Sequence, residues 1–280
     1  MKSLLVLFLL LSALDAKMDV GSREYKLMLD ASLFSGSTPE NNVTQYWSDL
    51  DAVITTQLNR NSSGSFSLSK DRTVMVYDTQ SSCLLKNNNL IFRERVENGN
   101  REVTLKYRSL DRYIAGHQDM SGTKSDAQTK FEQDLGVPYT SKFSHSTTQS
   151  ISNSKNLNKL DDPIGLYPDL QKYNFDDTTP IVKVGGLTIY EKVYKGTSVD
   201  LGNKDGEFSL TLWYLTSTST TPIIAEISFK YKDVNEDYSE NVATRAKALF
   251  ELMQTMTSWN DVNSTTKTAY IYNYNSSFCQ

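Results

Sequence analysis

Between Leu90 and Arg108 the chain reads LIFRERVENGNREVTLKYR, and its charged side chains recur at alternate positions. Successive side chains of a strand point to opposite faces, and Asn98-Gly99 suits the two positive φ angles of a tight hairpin turn. With those two residues as the loop, Arg95 faces Glu102, Arg93 faces Thr104 and Ile91 faces Lys106. One face then carries Leu90, Phe92, Val96, Val103, Leu105 and Tyr107. The other carries Arg93, Arg95, Glu102, Thr104, Lys106 and Arg108. Guanidinium and ammonium groups at this density suit phosphate oxygens, arginine by a bidentate fork. A half-solvated antiparallel sheet would show the same pattern. Other strands with the same sorting decide between a cavity and a wet surface.

Such strands recur along the chain. In Arg23–Asp30, Glu24, Lys26, Met28 and Asp30 oppose Tyr25, Leu27 and Leu29; in Thr129–Leu135, Lys130, Glu132 and Asp134 oppose Phe131 and Leu135. Pro180–Lys195 reads as a strand, bent at Gly185-Gly186, with Tyr190, Lys192 and Tyr194 on one face. Glu207–Leu215 and Pro222–Tyr231 form a hairpin in which Ile224, Glu226, Ser228 and Lys230 share a face. Apolar residues at helical spacing predict helices over Asn41–Leu58 and from about Ser239, their stripes facing a core. Leu160–Phe175 suggests short helices over one end of the sheet. Composition predicts loops at Asn61–Ser69, Leu110–Asp126 and Ser141–Asn158, and Lys267–Tyr274 reads as a closing tyrosine-rich strand.

Tyr77-Asp78-Thr79, Leu84, Phe92–Arg95 and Val103–Lys106 stand in the order and spacing of a known signature. The chain resembles the CYTH, or triphosphate tunnel metalloenzyme, superfamily, over roughly Ser22–Tyr274. The resemblance implies an α+β fold: a closed antiparallel β-barrel, or tunnel, with flanking helices, holding a triphosphate and Mg²⁺ or Mn²⁺. It assigns Lys26, Arg93, Arg95, Lys106, Lys130 and Lys192 to the substrate, Lys26 and Glu132 to catalysis, and Glu24, Glu226 and Asp134 to the metal. Arg108 and Glu102 belong to the same inward set. Two departures stand out, because Ser22 and Ser228 each replace one member of a glutamate pair that ligates metal in the family. The implied activity is hydrolysis of a triphosphate, with cyclase chemistry a minor branch. A non-catalytic barrel for a polyanion is the alternative, and a lipocalin-like or structural glycoprotein is the third reading.

The 280 residues, 38% hydrophobic with net charge −4, allow one substantial core. No acidic or basic tail points to nucleic acid. Met1-Lys2, the apolar run Ser3–Leu11 and Ser12–Ala16 read as a secretory leader cleaved near Ala16, with residues 17–280 as a single domain. The run is too short to anchor the chain in a membrane. Sequons at Asn42, Asn61, Asn263 and Asn275 agree with export and N-glycosylation. In that compartment Cys83 and Cys279 can pair or remain free thiols. Two cysteines, with His117 and His145 in polar loops, do not make a structural zinc site.

Overall fold

The computed structural model describes residues 18–280 except 262 and 264, so the expected leader and its cleavage point lie outside the described residues. Strand β1 (Ser22–Leu29) leads through helix α1 (Pro39–Val53) to the long strand β2 (Ser62–Asp78). A short helix α2 (Leu84–Asn87) precedes the hairpin of β3 (Leu90–Glu97) and β4 (Asn100–Ser109). After α3 (Arg112–Gly116) come β5 (Gln128–Gly136), β6 (Thr140–Ile151) and α4 (Asp161–Leu166). The two-residue β7 (Val182–Lys183) precedes β8 (Ile189–Asp200), β9 (Asp205–Tyr214) and β10 (Ile224–Lys232). Helices α5 (Glu240–Gln254) and α6 (Lys267–Tyr274) end the chain.

The strands form one sheet in the order β3-β4-β6-β5-β1-β10-β9-β8-β2-β7, and β2 also pairs with β3. The sheet therefore closes into a ring, with β7 as a spur on β2. All pairings are antiparallel except β1 with β5, which run parallel. That one junction corrects the expectation of a wholly antiparallel sheet. It is possible because more than ninety residues, enough for a long crossover, separate Leu29 from Gln128.

The β3–β4 register pairs Arg95 with Glu102, Arg93 with Thr104 and Ile91 with Lys106, as the turn residues dictate. Asn98 and Gly99 take φ of 50° and 77°. A second close approach lets β2 bend against β8: a Cβ on Gly64 would lie 2.0 Å from the Gly196 carbonyl oxygen.

Two apolar layers coat the outside of the ring. Tyr25, Leu27, Leu210, Ile227 and Phe229 pack under Tyr46, Trp47 and Leu50 of α1 and Leu249, Phe250 and Met253 of α5. Phe92, Val103, Leu105 and Phe131 pack under Leu160, Leu166, Tyr167 and Leu170. The single Tyr167 O–H is shared between the carbonyl oxygens of Val103 at 2.9 Å and Thr147 at 3.1 Å, fixing that cover to two strands.

A third apolar cluster joins Val74, Val76, Ile189, Trp213 and Ile224 with Ile271 and Tyr272 of α6. Here the expected closing strand is a helix. The ring is already complete without it, and Thr266 Oγ1 caps the Ala269 amide at 3.3 Å. Cys83 and Cys279 are disulfide-bonded, tying this tail to the Tyr77-Asp78-Thr79 turn. Fully buried Asp78 accepts from the amides of Thr79, Leu85 and Lys86 and from the Tyr272 hydroxyl, at 2.8–3.0 Å.

Two expected loops are strands. Ser62–Ser69 belongs to β2, and most of Ser141–Asn158 belongs to β6, which hydrogen-bonds to β4 and β5. Their serine and threonine content reads as loop by composition, but β6 alternates buried His145 and Thr147 with Lys142, Ser146 and Thr148 lining the interior. His145 thus lies in a strand, its Nδ1 3.2 Å from the Ala115 carbonyl oxygen.

Asp78→Ala strands three amides and a buried phenol. A loss of ~3 kcal/mol is expected in denaturant unfolding, with Asp78→Asn losing less; equal stability of Asp78→Ala and wild type would refute the pinning role.

Candidate functional site

The alternating polar faces converge on one cavity of about 800 Å³ inside the ring. Lys26, Arg93, Arg95, Lys106, Arg108, Lys130, Lys142, Lys230 and Lys267 line it, against Glu24, Glu132, Asp134, Glu191, Glu226 and Asp261. Nine basic and six acidic side chains among the described residues leave an excess of three positive charges. A lipocalin-type interior would be apolar, and a solvated outer face would not enclose these groups.

Cross-strand register explains the grouping. Lys142, Asp134, Glu24 and Lys230 stand side by side on β6, β5, β1 and β10. Lys106, Ser146 and Lys130 form a second row over β4, β6 and β5. Lys26 Nζ lies 2.7 Å from Asp134 and 2.9 Å from Glu24. Burial alone would lower the Lys26 pKa, but Asp134 and Glu24 outweigh it and raise it. Burial likewise opposes ionised Glu24, yet Lys26 draws its pKa down to about 2. Ser22 Oγ donates to Glu132 at 2.9 Å, and Ser144 Oγ to Asp134 at 2.6 Å.

The arginines are arranged differently. Arg93 donates to the Thr104 hydroxyl at 3.3 Å, and its Nε has no hydrogen-bond partner among the described residues. Burial, then the neighbouring Arg95, pushes its pKa well below the ordinary arginine value. The guanidinium stays protonated at neutral pH, so the shift expresses burial and crowding by other arginines that Glu191 offsets only in part. No ion pair of Lys106 is found among the described residues, and burial lowers its pKa to about 8, with Arg108 and Lys26 adding to the effect and Asp134 opposing it. Unpaired cations held in a partly dehydrated site are the chemistry of an anion receptor.

Of the expected metal ligands, Glu24 and Asp134 adjoin each other around Lys26, but Glu226 stands apart. Glu24 pairs with Lys230 across β1–β10, whereas Glu226 pairs with Met28, four positions further along β1. At strand rise their Cα atoms stand ~13 Å apart. Among the described residues no group of three Asp, Glu, His or Cys side chains is placed to hold a metal ion. Glu226 is held instead by Lys267 at 2.8 Å. The donor set therefore does not fit the Mg²⁺ or Mn²⁺ centre that Glu24, Glu226 and Asp134 were expected to make.

Lys192 is a second correction, since it does not line the cavity. Glu191, one residue earlier, points inward and is 1% exposed. It binds Arg72 at 2.7 Å, the Trp213 indole at 2.8 Å and Arg95 at 3.6 Å. The missed signal was the alternation Ile189, Glu191, Val193 against Tyr190, Lys192, Tyr194. Glu102 lies near Arg72, Arg95 and Asn98 in a smaller cavity by the hairpin tip. Lys230 follows from the alternation of its strand, whereas Lys267 does not, because Lys267–Tyr274 carries a strand-like alternation and is a helix.

No protein-family model matches the chain, and none of the curated proteins does. Some solved structures are similar. A Hippeastrum protein, named as a candidate adenylyl cyclase with a dominant triphosphatase activity, is 14% identical with TM-score 0.47, over 91% of this chain and 97% of that one. A candidate adenylate cyclase of Bacillus halodurans is 12% identical with TM-score 0.41, over 90% and 100%. The PH1819 protein of Pyrococcus horikoshii is 14% identical with TM-score 0.34, over 82% and 89%.

Lys106 gives the site a pH signature. It is charged below about 8 and loses its proton as pH rises through that value. Affinity for inorganic tripolyphosphate, measured by calorimetry from about pH 7 to about pH 9.5, should fall in wild type relative to Lys106→Arg, which stays charged. Parallel profiles for the two proteins would rule Lys106 out of the site.

Proposed function

We propose that this chain is an exported CYTH-like protein whose ring binds the triphosphate group of a small molecule. The observation that carries the reading is the convergence of Arg93, Arg95 and Lys106 inside a closed sheet. Of these, Arg93 and Lys106 have no carboxylate partner among the described residues. On this reading Arg93 and Arg95 take phosphate oxygens through their guanidinium forks, and Lys106 and Lys130 add point charges. Arg108, donating to Thr268 at 3.1 Å, stands beside them.

Hydrolysis is the reaction proposed. A water attacks the terminal phosphorus in line as the bridging P–O bond breaks, and the cations stabilise the charge on the equatorial oxygens. Glu132, oriented by Ser22, is the carboxylate assigned to receive the proton of that water. A second reading, capture without turnover, is favoured by the lysines that already occupy Glu24, Asp134 and Glu226.

Support for export comes from the leader-like sequence, the paired cysteines and the exposure of Asn61, Asn263 and Asn275. Asn42 is half-buried on α1. Residues 17–280 are proposed to act as one domain, with no nucleic acid and no membrane anchor involved. Expression in a secreting eukaryotic cell should yield a chain starting near Lys17 whose mass falls on deglycosylation. An unglycosylated chain that keeps Met1–Ala16 would contradict this.

Phosphate release from tripolyphosphate, ATP and thiamine triphosphate separates turnover from capture. Arg93→Ala should weaken tripolyphosphate binding about ten- to a hundredfold, the worth of a charge-assisted contact of ~1.5–3 kcal/mol. Lys192→Ala, on the outer face, should leave it unchanged. An Arg93→Ala protein that binds as wild type does would remove the basis of the proposal.

A further inference from the structure

Lys267 is not a wandering surface lysine. It opens α6, whose first turn is capped by Thr266 and whose Tyr272 is pinned to buried Asp78. Its Nζ lies 5.7 Å over the Trp213 ring and 2.8 Å from Glu226, which is only 8% exposed. The cap and the tyrosine bond fix the helix, and the indole then holds its ammonium against one buried carboxylate, inside the ring. Lys26 does the same between Glu24 and Asp134.

From this we infer that Lys267 and Lys26 supply, as part of the chain, the positive charge that a divalent cation would supply at these carboxylates. The ring therefore takes a metal-free polyphosphate anion rather than a metal–polyphosphate complex. The inference rests on the reading of the ring as a polyphosphate site. Three features of the cavity lead to it. Glu24 and Asp134 adjoin each other around Lys26, but Glu226 stands apart on β10, so no group of three carboxylates gathers among the described residues. A dication would have to displace two seated ammonium groups. It would also enter a cavity already in positive excess, where like charges repel and water screens them poorly. A bare polyphosphate meets the reverse situation: its charge satisfies Arg93 and Lys106 and leaves both lysine–carboxylate contacts in place.

Calorimetric titration of the whole secreted protein with inorganic tripolyphosphate, in EDTA and in excess MgCl₂, tests this. Wild type should bind at least as tightly in EDTA as in Mg²⁺. Lys267→Ala, which frees Glu226, should bind about tenfold more weakly in EDTA and recover part of the loss when Mg²⁺ is added. Lys267→Arg, which keeps the charge, should bind without metal and so separates loss of the ammonium from damage to α6. Wild-type binding at least tenfold tighter in Mg²⁺ than in EDTA would overturn the inference while leaving the polyphosphate site standing. Unaltered binding by Lys267→Ala in EDTA would overturn it too. No binding under either condition would overturn the polyphosphate reading itself, and this inference with it.

Discussion

A ring of strands that keeps its charges inside must carry its apolar side chains outside, and much of the remaining chain exists to cover them. In most small domains the inner surface of a sheet is the core. Here the period-2 alternation is the same, but the sense is reversed along the polar stretch of each strand. Tyr25, Phe229 and Ile227 look outward while Glu24, Lys26 and Lys230 look inward. Helices α1 and α5 and the segment Leu160–Leu170 are consequences of that reversal, since each buries an outward face that would otherwise meet water. A one-residue slip in any strand would exchange the two faces. Turn chemistry at Asn98-Gly99 and the tight contact of Gly64 with Gly196 hold the register.

Electrostatics inside the ring divides into two regimes. The carboxylates are satisfied: Glu24, Asp134, Glu191 and Glu226 each touch a cation within 3 Å. A close pair near a protein surface gains about 4 kcal/mol at an effective dielectric of 20, against several kcal/mol lost on removing each ion from water. Such pairs roughly break even and cost the fold little. Arg93 and Lys106 have no close ion pair among the described residues, and Glu191 and Asp134 offset their burial only in part, so the remaining desolvation is borne by the rest of the structure until an anion arrives. Unequal satisfaction of the two signs distinguishes a receptor for negative charge from a solvated patch, in which neither sign would be short of partners.

Local signals carried the legible part of the sequence. The β3–β4 hairpin, its register and its two faces follow from Asn98-Gly99 and simple alternation, and α1 and α5 from apolar spacing. What failed depended on the closed ring. Ser141–Ile151 has the composition of a loop, but small hydroxylated side chains are also what a narrow polar interior accommodates. Lys192 and Glu191 differ by one position, and that position reverses the face. The bend at Gly185-Gly186, where both φ angles are positive, sits just upstream and hides the phase of β8 from a linear reading. The tyrosines of α6 alternate as in a strand, but the ring closes without this segment and Thr266 caps it as a helix.

The last residues of the chain therefore finish a site begun by the first. Asp78, in the turn after β2, caps α2 and holds Tyr272, while Cys83 beside it holds Cys279. Both attachments fall within one short turn, so α6 is fixed against Val74, Val76 and Ile224 inside one end of the ring. That placement presents Lys267 to Glu226 and Thr268 to Arg108. Asp78 of the Tyr77-Asp78-Thr79 turn is not itself a cavity-lining residue, yet it binds the helix that contributes Lys267, Thr268 and Ile271 to that lining. Its effect on the charge of the ring is indirect: it secures Lys267, a cationic side chain that the sheet does not supply.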